Sequence, residues 1–308
     1  MNLETLTSLL SDTLRAATPL VLAALGELVS EKAGVLNLGV EGMMLVGAVS
    51  GFIAALVTGN IYFGLIIAIV AGIAIALIHA VLTISFAANQ VATGLALTIF
   101  GSGLSAFIGA GYVGKTITRL QPIGIPILKS IPLVGTALFN QDILVYGSVA
   151  LVILVWWFLR QTRAGLVLRS IGESPDSADA LGLPVTQMRY LAVLFGGALA
   201  GLAGAYLSLA YTPLWAENMS SGRGWISISL VVFATWKPER ILLGAYLFGG
   251  VNAIGLVLQT IGVNVSPYLL SCLPYLATIL VLVLISKDAT RIQLSAPASL
   301  GQPFRPSH

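Results

Sequence analysis

The chain has 308 residues, of which 57% are hydrophobic and only 9% charged, with a mean hydropathy of +0.97 and a formal net charge of +3. Soluble domains carry about 25% charged residues, so this composition excludes a soluble globular domain and indicates a polytopic membrane protein. The net charge itself says little, because orientation depends on where the basic residues lie.

Taken in order, residues 2–15 read as an amphipathic interfacial helix, with Leu3, Leu6, Leu9, Leu10 and Leu14 on one face. The acidic residues there are wrong for a signal peptide, so no cleavage is expected. Nine apolar segments follow, at about 16–31, 34–58, 62–86, 90–113, 141–160, 187–211, 220–236, 240–260 and 266–286. Most approach the roughly 20 residues that span a bilayer. The second opens on a polar, glycine-rich stretch, and the seventh is firmly apolar only from Trp225 to Trp236. Cys272, the single cysteine, lies in an apolar run and reads as a small buried hydrophobe. Residues 1–286 are expected to form one transmembrane domain. The tail 287–308, rich in proline and serine, is expected to be disordered.

The polar stretch 160–189 divides the chain into two apolar blocks. Its centre carries the signals of one short helix with both ends specified. Ser174 suits the N-cap, Pro175 the first helical position, and Asp176 and Asp179 the positive end of the dipole. Gly182 can close the other end in a left-handed conformation, and Pro184 blocks resumption. A helix of about seven residues is too short to be stable alone, so something must pack on it. Placing this loop in the cytoplasm puts Lys32, Arg160, Arg163, Arg169, Arg189, Lys237, Arg240, Lys287, Arg291 and Arg305 inside. Arg15, Lys115, Arg119, Lys129 and Arg223 then fall outside, which favours an external N-terminus and an internal C-terminus. Close helix packing is expected where small residues recur, at Gly47–Gly51 and Gly197–Gly201, continued by Ala200–Gly204.

Four motifs bear on function. Residues 109–116, GAGYVGKT, match the letters of a phosphate-binding loop. Their context is wrong, because an apolar helix precedes them and a proline-broken loop follows, whereas a true P-loop joins a strand to a helix N-terminus. Asn37 and Glu41, in GVLNLGVEGMM, lie four apart at membrane depth, and Gly34, Gly39 and Gly42 permit an unwound or re-entrant start. An ionisable group there reads as part of a solute pathway or as a cap on a neighbouring helix. Asn89, Gln90 and Thr93 sit at the mouth of the fourth segment, where neutral amides can recognise a polar solute or simply make a turn. In WAENMSSGRGW, residues 215–225, Glu217, Asn218 and Arg223 lie between Trp215 and Trp225. This reads as an aromatic belt with solvated charges, or as an external gate or docking surface. His79, alone in an apolar helix, is expected to be hydrogen-bonded in the packed interior.

GVLNLGVEGMMLVGA, NQVATGLALTIFG, GESPDSADALGLPV with AGLAGAY, and GRGWISISLVVFATWKPERILLGAYLFGG together resemble the permeases of bacterial nucleoside importers. These belong to the ATP-binding-cassette group that includes simple-sugar and branched-chain amino-acid permeases, and the resemblance runs from about residue 16 to 286. It implies an all-α polytopic permease in the cell membrane, without an ATPase or cofactor of its own. Its partners would be a second related permease, two cytoplasmic ATP-binding subunits that consume ATP, and an external solute-binding lipoprotein; no nucleic acid is expected. Within the family, the stretch matching Glu173, Ser174, Pro175, Asp176, Ala178, Asp179, Ala180, Leu181 and Gly182 is the coupling helix that docks on the ATPase. Compared with ribose-type permeases, the chain is expected to lack a first membrane helix. Candidate pathway residues are Asn37, Glu41, Asn89, Gln90, Thr93, Asn218 and Trp225, with amides to meet hydroxyls and an aromatic for a base. Simple sugars and branched-chain amino acids are alternative solutes. A secondary transporter would need acids at mid-membrane, and only Glu27 and Glu41 come near. A non-transporting scaffold would have no need of a capped cytoplasmic helix.

Overall fold

The computed structural model describes residues 3–124, 134–260 and 295–305, with isolated positions between 266 and 283. The chain is almost wholly helical. α1 (Leu3–Lys32), α2 (Val40–Thr58), α3 (Ile61–Ala80) and α4 (Gln90–Gly109) form the first block. A two-residue hairpin pairs β1 (Ile123–Gly124) with β2 (Asn140–Gln141), with the short helix α5 (Val134–Leu138) before β2. Then come α6 (Ile143–Gln161), α7 (Arg163–Glu173), α8 (Pro175–Ala180), α9 (Val185–Tyr206), α10 (Arg223–Phe233) and α11 (Pro238–Thr260). Both α3 and α9 run on into a π-helical turn, Val81–Ser85 and Leu207–Tyr211.

Among the described residues, six helices are long and apolar enough to cross a membrane, fewer than the nine segments expected. The second expected segment is helical only from Val40, because residues 34–39 are unwound. The seventh is the 11-residue α10. The ninth, 266–286, lies outside the described residues apart from isolated positions. Cys272, one of these positions, is exposed rather than buried.

The interfacial helix expected at 2–15 does not exist as a separate element. It is the first half of α1, which runs through Pro19 without a break. Side chains hold this half in place. Arg15 Nε donates to Gln141 Oε1 at 3.0 Å, and Gln141 Nε2 donates to Ser11 Oγ at 2.8 Å. Further along, Leu20, Leu22, Leu25 and Leu28 are all buried, so α1 is surrounded rather than laid on a surface.

The second half of α1 packs with α9, α10 and α11, and α2, α3 and α9 form a second close-packed group. Gly201 lies between α2 and α3: its backbone touches the space a Cβ on Gly47 would need, and its own Cβ would strike Ala68 O. Gly197 faces Gly72 and Ala76, Gly51 faces Gly64, Ala68 and Ala205, and Gly204 faces Met44 and Ala48. Except at Gly51, where a neighbour would have only to give slightly, these approaches are closer than a Cβ allows, and in a bilayer such van der Waals contact holds helices together.

Within the tail, the described residues 295–305 depart from the disorder expected of it. Residues 295–305 form turns packed on the core, with Ser299 and Phe304 buried. Proline and serine here stabilise turns whose hydroxyl and backbone groups meet fixed partners, which a composition argument does not register.

Gly201→Leu should disrupt the α2–α3–α9 contact. The expected cost is on the order of 1–3 kcal/mol, read as a lower melting temperature of the detergent-solubilised protein. Gly103→Ala, in the same type of helix but with nothing within 4 Å of the added Cβ, should cause no loss.

Candidate functional site

The site is built around the break between α1 and α2. Residues 33–39 leave the helix in the interior of the bundle, where a peptide group without a partner costs several kcal/mol. Neighbouring elements supply the missing partners. Ser30 Oγ donates to Val35 O at 3.0 Å, and Arg189 Nε to Ala33 O at 3.1 Å. Gln90 Oε1 accepts from Leu36 N at 2.7 Å, and Glu27 Oε1 from Asn37 N at 2.8 Å. His79 Nε2 bonds Leu36 O at 3.1 Å, and Thr98 Oγ1 donates to Leu38 O at 2.8 Å. A carbonyl can only accept, so His79 carries its proton on Nε2. His79 Nδ1 and Glu27 Oε2 are buried without a partner among the described residues.

Asn37 and Glu41 are both occupied by the fold. Asn37 Oδ1 accepts from Gly39 N at 2.9 Å, and its amide reaches Met43 Sδ at 3.5 Å. Glu41, 7% exposed, reaches across to the start of α10. Its Oε1 accepts from Ser220 Oγ at 2.6 Å and Gly222 N at 2.8 Å, and its Oε2 from Gly224 N at 2.6 Å. Of the two readings of Glu41, capping a neighbouring helix is therefore its contact in the structure. Gly222 has φ +78°, and a Cβ on Gly224 would strike Glu41 itself, which is why this stretch reads SGRGW. A carboxylate at a helix N-terminus is also favoured by the dipole.

Asn89 caps α4, accepting from Ala92 N at 2.9 Å. Gln90 is buried against the loop, and Thr93 faces an apolar cavity of about 520 Å³ lined by Ile78, Leu82, Ala96, Leu97 and Phe100. Asn218 and Trp225 are exposed on the far side of the Glu41 contact. Asn218, at φ +54°, accepts from Ser102 Oγ at 3.1 Å. Ser102 lies nine residues beyond Thr93 on α4, roughly 14 Å along the axis. The candidates thus do not converge on one site: Asn37, Glu41 and Gln90 are inside the bundle, Asn218 and Trp225 are each exposed, and Asn89 and Thr93 lie near the start of α4. Trp215 is not part of an aromatic belt. It is buried with Val49 and Phe52 and lies against Gly109.

Sequence reasoning missed Ser102, Ser220, Thr98 and Arg189. The serines and the threonine carry no distinguishing signal. Arg189 does, because it is the one cation in the apolar run 187–211.

The P-loop letters build no nucleotide cradle. α4 ends in the 3₁₀ turn Ala110–Tyr112, Gly114 turns at φ +79°, and Lys115 lies over the Tyr112 ring at 4.7 Å. An isolated bridge from Thr116 to Leu214 follows, where a P-loop would open a helix.

The polar stretch forms the expected short helix. α8 is capped by Ser174, whose Oγ accepts from Ser177 N at 3.3 Å, and Gly182 has φ +74°. Ala178 packs with Ile171, Val185 and Phe304, while Leu181 is 79% exposed.

Residues 9–285 match the family described as branched-chain amino acid transport system, permease component. The chain belongs to this permease family. It is 45% identical to a putative glucose ABC transporter permease protein of Haloferax volcanii, over 96% of this chain and 97% of that one. It is 35% identical to a guanosine ABC transporter permease protein of Bacillus subtilis, over 88% and 89% of the two chains. It is also 32% identical to a nucleoside ABC transporter permease protein of Lactococcus lactis, over 91% and 93%. The permease is a multi-pass membrane protein, and its family implies ATP-binding subunits and a solute-binding protein as partners.

The two buried glutamates near the loop should respond differently to amide substitution. Every donor around Glu41 points at an oxygen, so Glu41→Gln turns an NH₂ toward an N–H or O–H and should cost about 1–3 kcal/mol. Glu27 receives one backbone donor and has the buried Glu31 side chain beside it, so Glu27→Gln should stay within about 1 kcal/mol, its NH₂ turned to the Glu31 carboxyl group. Thermal melts followed by size-exclusion chromatography would separate the two cases.

Proposed function

We propose that the permease forms one half of the membrane pathway of an ATP-driven importer of nucleosides. The observation that carries this reading is the exposed edge where Ser102 Oγ donates to Asn218 Oδ1, with the exposed Trp225 following in the first turn of α10. Neutral hydroxyl and amide groups suit ribose hydroxyls, and an indole face suits a base. The relatives named for guanosine and nucleosides support it. A second reading, a simple-sugar importer, is favoured by the 45% identity to the relative named for glucose; a hexose presents the same hydroxyl chemistry without the base. In either case the solute would move by alternating access, with the energy supplied by separate ATPase subunits.

In this reading α8 faces the cytoplasm and is the handle on which the ATPase pulls. The exposed Glu173, Asp176, Ala180, Leu181 and Gly182 form the docking surface, while Ala178 anchors the helix to the membrane part. Asp179 lies at the boundary between the two. A second related permease completes the pathway, and an external lipoprotein delivers the solute.

The test is uptake into proteoliposomes holding the permease with its ATPase, second permease and solute-binding protein. ATP-dependent accumulation of guanosine that excess glucose does not compete away is expected. Glucose accumulation in its place would transfer the assignment to the sugar reading, and uptake on an ion gradient without the ATPase would sink both. Leu181→Asp should abolish co-purification with the ATPase while leaving membrane insertion unchanged; retained co-purification would remove α8 from the interface.

A further inference from the structure

The segment 295–305 lies between the two parts of the molecule that an importer has to connect. One side of it meets the end of α7, just before α8. Ser299 Oγ donates to Gly172 O at 2.7 Å, Ser299 N donates to the same oxygen at 3.0 Å, and Phe304 packs with Ile171, Ala178 and Val185. The other side meets the re-entrant loop through two bridging side chains. Arg189 donates through Nη2 to Ser299 Oγ at 3.2 Å and through Nε to Ala33 O at 3.1 Å. Gln90 accepts from Leu36 N at 2.7 Å and donates to Gln302 O at 3.3 Å. At the end of α1, Lys32 Nζ donates to Ser295 O at 3.0 Å.

Arg189 is 2% exposed and makes no salt bridge among the described residues. Burying a guanidinium with no carboxylate in contact with it is expensive unless its donors are well used. Here its planar fork reaches a loop carbonyl and a tail hydroxyl at once, and the guanidinium lies 5.5 Å from the Phe304 ring. A lysine, being a single point charge, cannot span both. The loop is also pressed onto this contact. Gly34 has φ +85°, and a Cβ there would meet Ser299 Oγ and come within 2.8 Å of Arg189 Nη2.

We propose that residues 295–305 form a transmission strap that carries displacement of α8 to the re-entrant loop 33–39, with Arg189 and Gln90 as its positioning residues. The proposal rests on the reading of α8 as the ATPase handle and adds a route from the handle to the membrane. α8 is joined to α9 by Leu181–Pro184, so a pull on α8 moves the start of α9 and Arg189 with it. The strap holds Ser299 against both Gly172 and Arg189, so the loop cannot stay behind while α7, α8 and α9 move together. Without the strap, the direct bond from Arg189 to Ala33 would be the one side-chain tie left between the start of α9 and the loop among the described residues.

Ser299→Ala tests this, because it removes the hydroxyl shared by Gly172 and Arg189 but touches neither the ATPase surface nor a pathway residue. In the complete importer in proteoliposomes, solute moved per ATP hydrolysed should fall about three- to tenfold, the range of mutations that weaken coupling between sites. The hydrolysis rate should stay within about twofold. In the purified permease, hydrogen–deuterium exchange should accelerate at residues 33–39 as well as at 295–305. Ser299→Thr, which keeps the hydroxyl, should restore both measurements. Faster exchange confined to 295–305, or uptake and hydrolysis falling together in proportion to assembled complex, would overturn the strap. Absence of ATP-driven uptake in the wild-type importer would count against the proposed function, and the exchange measurement would still decide the strap.

Discussion

Seven residues of non-helical backbone, 33–39, lie in the interior of a helical membrane protein, and the structure is arranged to satisfy them. In a bilayer the groups that leave a helix have no water to turn to. Each of α1, α3, α4 and α9 therefore sends at least one polar side chain to the same loop: Glu27 and Ser30, His79, Gln90 and Thr98, and Arg189. Four helices are thereby tied to one loop, which fixes their relative position and rotation.

That requirement explains the distribution of glycine. Helices held by short polar side chains on a common loop must run close together beyond it. The approaches of Gly47 to Gly201 and of Gly72 to Gly197 provide that closeness. Larger residues at these points would spread α2, α3 and α9, and would draw His79 and Arg189 away from the carbonyls they satisfy. The packing ridge and the polar loop are one solution to one problem.

Much of this was legible in the chain. The glycines around Asn37 allowed for an unwound start, the spacing of small residues marked the close contacts, and Ser174, Pro175 and Gly182 delimited α8 almost to the residue. What failed did so for physical reasons. The first span and the amphipathic stretch before it merged because Gln141, more than a hundred residues away, ties Ser11 and Arg15 into the bundle. Periodicity within a segment cannot register such a partner. The tail was judged on composition, yet Ser299 is held by two backbone carbonyl bonds and one guanidinium that only the folded chain assembles. Asn37 and Glu41 were rightly singled out as unusual, but residue type could not say whether their polar atoms faced a solute or the protein. Asn218 and Trp225 were grouped by nearness in sequence, while Ser102, the partner of Asn218, came from another helix and could not be seen.

The Glu41 contact has a mechanical meaning as well. Its carboxylate sits in the first turn of α2 and closes the N-terminus of α10, so a single negative charge serves the positive ends of two helices. Pulling these helices apart would strand three donors and one buried anion at once, whereas α2 is tied to Ser105 and to Ser208 by single hydroxyl bonds. α2 and the start of α10 are therefore costly to separate. Beyond α10 the backbone bends sharply, in the left-handed turn at Thr235 and Trp236 before α11.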